Sequence, residues 1–218
     1  MPPYTRVPLC WLVVVALTAC DKDGGPLDVD VEPRVLRVLE LTFQDIGSPS
    51  MRASVLIARS IAELESARAS GASRDSLISF QLITVGVLDV KTTERTRFVH
   101  ATFRTNNLLD AAAGRDVTLI GISTAQMTVN TLVRPTGLAR FDENGSLHVD
   151  SANVLRVLTV ADTSGLVRPT GVGRIFDFGF VVRADGLVSF GFALPLMLNP
   201  QDDIQTLSVL LMAVRDPD

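Results

Sequence analysis

Residues Arg174–Leu194 read RIFDFGFVVRADGLVSFGFAL, and their alternation decides the fold class. Phe176, Phe178, Phe180 and Val182 fall at every second position; after Ala184-Asp185-Gly186, so do Val188, Phe190, Phe192 and Leu194. A period of two places each set on one face of a β-strand. Gly186 suits the left-handed position of a three-residue loop, so the stretch predicts a hairpin. With Arg183 opposite Leu187, Phe180 faces Phe190 and Phe178 faces Phe192. Such cross-strand aromatic pairs contribute up to about 1 kcal/mol each. A slip of one residue would turn the whole phenylalanine face outward, which fixes the register.

The same kind of run recurs along the chain. Residues rich in Val, Ile, Leu, Phe and Thr predict strands at Arg34–Phe43, Arg52–Ile57, Phe80–Val90, Arg95–Arg104 and Val117–Ser123. Further strands are predicted at Met127–Val133, Val154–Val160, Arg174–Arg183, Leu187–Leu194 and Ile204–Val214. Gly, Pro, Asn or Asp separates most of them. One helix is predicted at Ala58–Arg68, where Ile61, Leu64 and Arg68 share a face, Glu65 lies beside Arg68, and Ser70-Gly71 stops the run. About ten strands without alternating helices predict an all-β protein, an antiparallel immunoglobulin-like β-sandwich with at most one short helix.

The start of the chain is of another kind. Met1–Arg6 carries one positive charge, Val7–Leu17 is apolar except for Pro8, and Leu17-Thr18-Ala19-Cys20 closes the run. That is the layout of a secretory signal. That run of 11 residues falls short of the roughly 20 that a membrane-spanning helix needs. Leu17–Cys20 resembles the lipobox of bacterial lipoprotein precursors. The resemblance implies a diacylglycerol on the Cys20 thiol, cleavage before Cys20, acylation of the new amino group, and a membrane partner reached through that lipid. The expected organisation is a signal peptide at 1–19, a flexible acidic tether at 20–33 (DKDGGPLDVDVEP after Cys20), and a single β-sandwich domain at 34–218. Asp21 resembles the inner-membrane retention signal of enteric bacteria, a rule that does not transfer between envelopes, so the choice of membrane stays open. Cleavage removes Cys10, so no disulfide forms within the mature chain and a buried core must supply its stability.

Three further segments, ERTRFVHATFRTNN (Glu94–Asn107), VRPTG and FDFGFVVRADGLVSFGFALPL (Phe176–Leu196), resemble uncharacterised β-sandwich domains of bacterial envelope proteins, some built with immunoglobulin-like repeats. The likeness runs diffusely over residues 35–218 and ends in a closing segment like Leu207–Asp216. It implies a fold and an extracytoplasmic compartment; no activity or site comes with it.

Composition narrows the functions. Trp11 and Tyr4, the only Trp and Tyr, lie in the signal. A sugar-stacking surface of the usual kind is therefore disfavoured. With Arg6 removed, 19 basic residues stand against 24 acidic ones and no basic run exists, which argues against nucleic acid as a partner. Lys22 and Lys91 are the only lysines.

Few residues offer chemistry. LVRPTG occurs at Leu132–Gly137 and again at Leu166–Gly171. Pro135 and Pro169 with Gly137 and Gly171 predict two turns of one type. The functional alternative is a pair of binding loops presenting Arg134 and Arg168 to an acidic envelope polymer or a carboxylate-bearing protein. Asp28, Asp30 and Glu32 alternate and read as a solvated tether, and Asn144-Gly145 within Asp142–Gly145 reads as a hairpin turn; calcium is the alternative at both. His100 sits among apolar residues of a predicted strand, and His148 lies just past the Asn144-Gly145 turn. Two histidines without cysteine do not make a structural zinc site, and no G-x-S-x-G elbow accompanies them. The expectation is a non-catalytic structural or binding domain without a cofactor. The alternatives are an extracytoplasmic hydrolase with an unrecognised site, and a small-molecule or calcium binder.

Overall fold

The computed structural model describes residues 35–70, 78–91, 93, 95–107, 117–124, 133–136, 138–141, 147–150, 156–159, 163, 166, 168–183 and 185–215. The chain divides into the units Met1–Asp30 and Val31–Asp218; all described residues belong to the second. The signal, Cys20, the tether, residues 127–132 of the strand predicted at Met127–Val133 and the Asn144-Gly145 turn lie outside them.

The strands are β1 (Val35–Gln44), β2 (Arg52–Ala58), β3 (Ile78–Val90), β4 (Thr96–Asn107), β5 (Val117–Thr124) and β6 (Arg134–Pro135). After them come β7 (Leu138–Phe141), β8 (Leu147–Asp150), β9 (Arg156–Val157), β10 (Val172–Val182), β11 (Asp185–Pro195) and β12 (Leu207–Arg215). Helix α1 (Ile61–Ser70) follows β2, and a 3-10 turn (Pro200–Asp202) precedes β12. Ten strands form two antiparallel sheets, one in the order β2-β1-β12-β5-β10-β9 and the other β3-β4-β11-β6, while β7 and β8 make a separate hairpin. This is the all-β sandwich that the strand pattern predicts.

Alternation along each strand builds the core between the sheets. Leu39, Leu41 and Phe43 of β1 and Leu119, Phe180 and Leu211 of its own sheet meet Val99, Ala101, Phe103, Phe190 and Phe192 of the other, all buried. Edge-on ring contacts cross this layer, Phe43 with Phe192 at 5.9 Å and Phe180 with Phe190 at 5.0 Å. The six-stranded sheet is covered on its other face too. There Val38, Ile120, Ile122, Leu210 and Met212 pack with Ile61 and Leu64 of α1 and with Leu158 and Leu166. That double burial is seen along β5, every residue of which is buried except Thr124, Thr118 and Ser123 included.

Helix α1 begins at Ile61, three residues after the predicted Ala58, which belongs to β2 instead; Ser60 caps it. Ser60 Oγ accepts the Glu63 N–H at 3.2 Å, and Glu63 reaches back to accept the Arg59 N–H at 2.9 Å. Ile61, Leu64 and Ala67 are buried. Arg68 pairs with Glu40 of β1 rather than only standing beside Glu65: Nε donates to Oε2 at 2.6 Å and Nη2 to Oε1 at 3.0 Å. Glu40 is almost wholly buried, so the fork supplies the charge partner that a carboxylate there requires.

The phenylalanine hairpin takes a different form from the one expected. Its two strands belong to different sheets: β10 pairs with β5 and β9, and β11 pairs with β4 and β6. Leu187 lies opposite Arg104, not Arg183. The chain turns a corner between the sheets, so Phe180 meets Phe190 across the sandwich, and its second partner on β11 is Phe192 at 6.0 Å. Phe178 is diverted by a bulge. Between Ile175 opposite Ile122 and Gly179 opposite Ile120, β10 carries Phe176–Phe178 where β5 supplies only Gly121. A Cβ on Gly121 would lie 2.4 Å from Phe178 Cζ, so the absent side chain is the seat of that ring.

Candidate functional site

The two LVRPTG copies have different local structures, which corrects the expectation of two turns of one type. In the first, Arg134 and Pro135 form β6, opposite Ala193 and Phe192 at the edge of the four-stranded sheet. Proline is tolerated there because an outer strand need not donate on its free side. In the second, the Val172 N–H donates to Pro169 O at 3.1 Å and Gly171 has φ +92°, a turn that needs glycine at its third residue. Arg168 is exposed and donates to Gly173 O at 3.2 Å. Arg134 is also exposed, on the other sheet.

His100 is placed by neighbours that lack side chains. It lies on β4 opposite Gly86 of β3 and Gly191 of β11, and a Cβ on Gly86 would come within 2.6 Å of its Nε2. The imidazole therefore lies over Gly86 on the outer face of the sheet, away from Val99 and Ala101. Two residues along, on the same face, Thr102 and Ser189 share a hydrogen bond of 2.7 Å between their hydroxyls. The β7–β8 hairpin packs against β4 and β11. Both strands have ladder partners on each side and core on their inner face, so the hairpin lies over the outer one. His100 and Ser189 are 5% and 6% exposed. His148, on β8 opposite Arg140, belongs to the covering hairpin, as its position after the Asn144-Gly145 pair predicts.

Burial pushes the His100 pKa below its ordinary 6.5. The unfolded chain therefore binds a proton near pH 6.5 that the folded chain refuses until a lower pH. Stability falls as pH drops through that window, because the unfolded state then binds more protons. Denaturant midpoints measured at pH 7.5 and 5.5 test this: His100→Gln should lose less between the two than the parent. Equal losses would remove His100 as a source of the pH dependence.

The strongest polar constellation was not singled out in the sequence. Arg97 Nε and Nη2 donate to both oxygens of Asp89 at 2.6 and 2.8 Å, and Nη2 lies 3.4 Å from Asp203. Asp203 also accepts the Met197 N–H at 2.7 Å, and Arg95 donates to Met197 O at 2.8 Å. Gly47, at φ +83°, leaves room for the guanidinium, which a Cβ would approach to 3.0 Å. One buried cation thus ties β3, β4, the turn after β1 and the loop before β12. The hydrogen bond to Asp89 raises the Arg97 pKa above its already high value, so it stays charged. Its role is architectural. The signal for it was present: Asp89 and Arg97 are the opposite charges set inside the two apolar runs that flank the β3–β4 turn.

Among the described residues no three His, Cys, Asp or Glu side chains converge as a metal site would require. A notch of about 30 Å³ beside α1, lined by Ile57, Glu63, Ser66, Ala67 and Ser70, is far below the usual size of small-molecule pockets. The acidic residues weighed for calcium, Asp28, Asp30, Glu32 and Asp142–Gly145, lie outside the described residues. No protein-family model, no curated protein and no solved structure matches this chain.

Proposed function

We propose that this is a cell-envelope protein held to a membrane by lipid on Cys20, whose immunoglobulin-like β-sandwich serves a structural or binding role outside the cytoplasm. The observation that carries the reading is Leu17-Thr18-Ala19-Cys20 behind a short apolar run with a basic start. The DKDGGPLDVDVEP segment supports it as a polar spacer between lipid and domain. Each acyl methylene buried in the bilayer contributes about 0.8 kcal/mol, so two or three chains hold a protein durably. Its partner is an envelope polymer or another envelope protein, with the exposed Arg134 and Arg168 as candidate contacts for carboxylates.

Replacing Cys20 with alanine should move the protein out of the membrane pellet when cells are fractionated. Metabolic labelling with a clickable fatty acid should mark the parent and not the variant. A Cys20→Ala protein that pellets as fully as the parent, or takes up the label equally, overturns the anchor.

A further inference from the structure

We propose that Arg134, Arg168 and Arg174 form one basic rim on the sandwich, and that this rim takes a linear polymer of repeated anionic groups, carboxylate or phosphate. The inference rests on the binding role proposed above and names its surface and partner class; it does not depend on the lipid on Cys20. The topology brings the three residues together. β10 ends and β11 begins at the corner between the sheets, and Phe180 of β10 meets Phe190 and Phe192 of β11 across the core. The two strands therefore run in opposite directions, and the end of β11 shares one end of the sandwich with the start of β10. Arg134 lies opposite Ala193 near the end of β11, and Arg174 opposite Ser123 near the start of β10. Arg168 is held beside Arg174, because its Nη1 donates to Gly173 O at 3.2 Å.

They share a side as well as an end. β6 is the outer strand of the four-stranded sheet, next to β11; β10 stands next to β9, the outer strand of the other sheet. β9 reaches only Phe178 and Gly179, so over Val172–Phe176 β10 is itself outermost among the described residues. The repeated LVRPTG string supplies one arginine to each lip of this side: Arg134 from the edge strand and Arg168 from the turn that leads into β10.

The molecule does not neutralise these charges itself. All three residues are exposed, and among the described residues none forms an ion pair. Arg68 and Arg97, by contrast, are held by Glu40 and Asp89. Arg174 lies over the Phe176 ring, 5.3 Å from its centroid, which restrains the guanidinium without cancelling its charge. Nearby carboxylates are either engaged elsewhere or apart: Asp203 is taken by Arg97, Asp202 accepts from Asn199, and Asp177 of β10 pairs with none of the three. On a chain of net charge −4, such a rim attracts a polyanion to one place while the rest of the surface repels it.

Spacing selects the kind of anion. Sheets pack about 10 Å apart and strands rise about 3.3 Å per residue, which sets Arg134 on the order of 15 Å from Arg174. Guanidinium groups spread over that span do not converge on one small anion. They suit successive units of an extended chain, and their forks match carboxylate and phosphate alike.

Binding of two fluorescent probes, polyglutamate and inorganic polyphosphate, to the full chain in mild detergent tests this. A polyglutamate of about 20 residues extends to about 65 Å, enough to pass all three arginines. At least one probe should bind at about 50 mM salt and weaken as salt is raised; the tighter of the two names the anion. Arg134→Ser with Arg168→Ser and Arg174→Ser should lower the affinity at least about tenfold. Arg52→Ser with Arg59→Ser and Arg104→Ser removes the same charge from exposed positions elsewhere, and should lower it less than about twofold. Arg134→Ser and Arg174→Ser alone, one on each sheet, should each cost about threefold, a result that stands if the triple variant folds poorly. Cys20→Ala should bind as the parent does, so a failed anchor and a failed rim give different results. The proposal is overturned if neither probe binds at low salt, or if the two triple variants weaken binding equally.

Discussion

Replacing Arg97 with leucine should lower the free energy of unfolding by about 3–5 kcal/mol, the range found when one partner of a buried ion pair is removed. Leucine fills part of the volume but leaves Asp89 and Asp203 without their cation, and the Asp203 side chain is even more buried than that of Arg97. Their carboxylates must then take up protons or draw in water, and either course opens the end of the sandwich that Arg97 closes. The Met197 N–H, held by Asp203, loosens with it. The measurement is a denaturant midpoint at constant slope. Adding Asp89→Asn and Asp203→Asn to Arg97→Leu should recover part of the loss, because the uncompensated charge is then gone. If Arg97→Leu alone costs less than about 1 kcal/mol, the range of an exposed pair, Arg97 is not the clamp described here.

Phe180→Ala should cost a similar amount, about 3–5 kcal/mol, for a different reason. Phe180 is fully buried, and its ring meets those of Phe178, Phe190 and Phe192 at 5.9, 5.0 and 6.0 Å. Truncation leaves a cavity bounded by rigid rings on two sheets, which collapse poorly into it. Phe176→Ala is the internal comparison. That residue is partly exposed, touched by Arg174 on one side and Phe178 on the other, and should cost well under half as much. A Phe180→Ala protein as stable as Phe176→Ala would mean that the rings between the sheets do not carry the core.

The contrast between the two phenylalanines also marks what the sequence made legible. Alternation told which face Phe180 and Phe190 occupy, and both do face the core. It could not tell whether they meet as neighbours in one sheet or across two, because a period of two describes a face and not a partner. The strands at Val35–Gln44, Arg52–Ala58, Val117–Thr124 and Leu207–Arg215 lie within a few residues of their predicted bounds, since each is rich in β-branched and aliphatic residues. β7 and β8, four residues each, are too short to give a pattern. β6 was hidden by Pro135, which is compatible with a strand only at an edge. β3 has a bulge at Ile83, between Leu82 opposite Phe103 and Thr84 opposite Thr102, and its phase shows in the sequence: Ile78, Phe80 and Leu82 keep one phase, while Val85 and Val87 keep the other.

The candidate sites were less legible than the fold, and for a physical reason. LVRPTG is one string with two structures: β11 gives the first copy a ladder, and the second closes a turn from Pro169 to Val172 ahead of β10. The Arg97 cluster joins positions 47, 89, 97 and 203, which only the folded chain brings together.

The position of β12 has a consequence for the order of events during synthesis. Leu207–Arg215 lies between β1 and β5, the two strands that frame the centre of the six-stranded sheet. Neither can complete its ladder until those late residues have been delivered. A ribosome or a translocation channel that still holds β12 therefore holds back closure of that sheet, while β3, β4 and the sheet-changing corner are already free to assemble. The strand that closes this sheet is therefore the last of the described strands to be made.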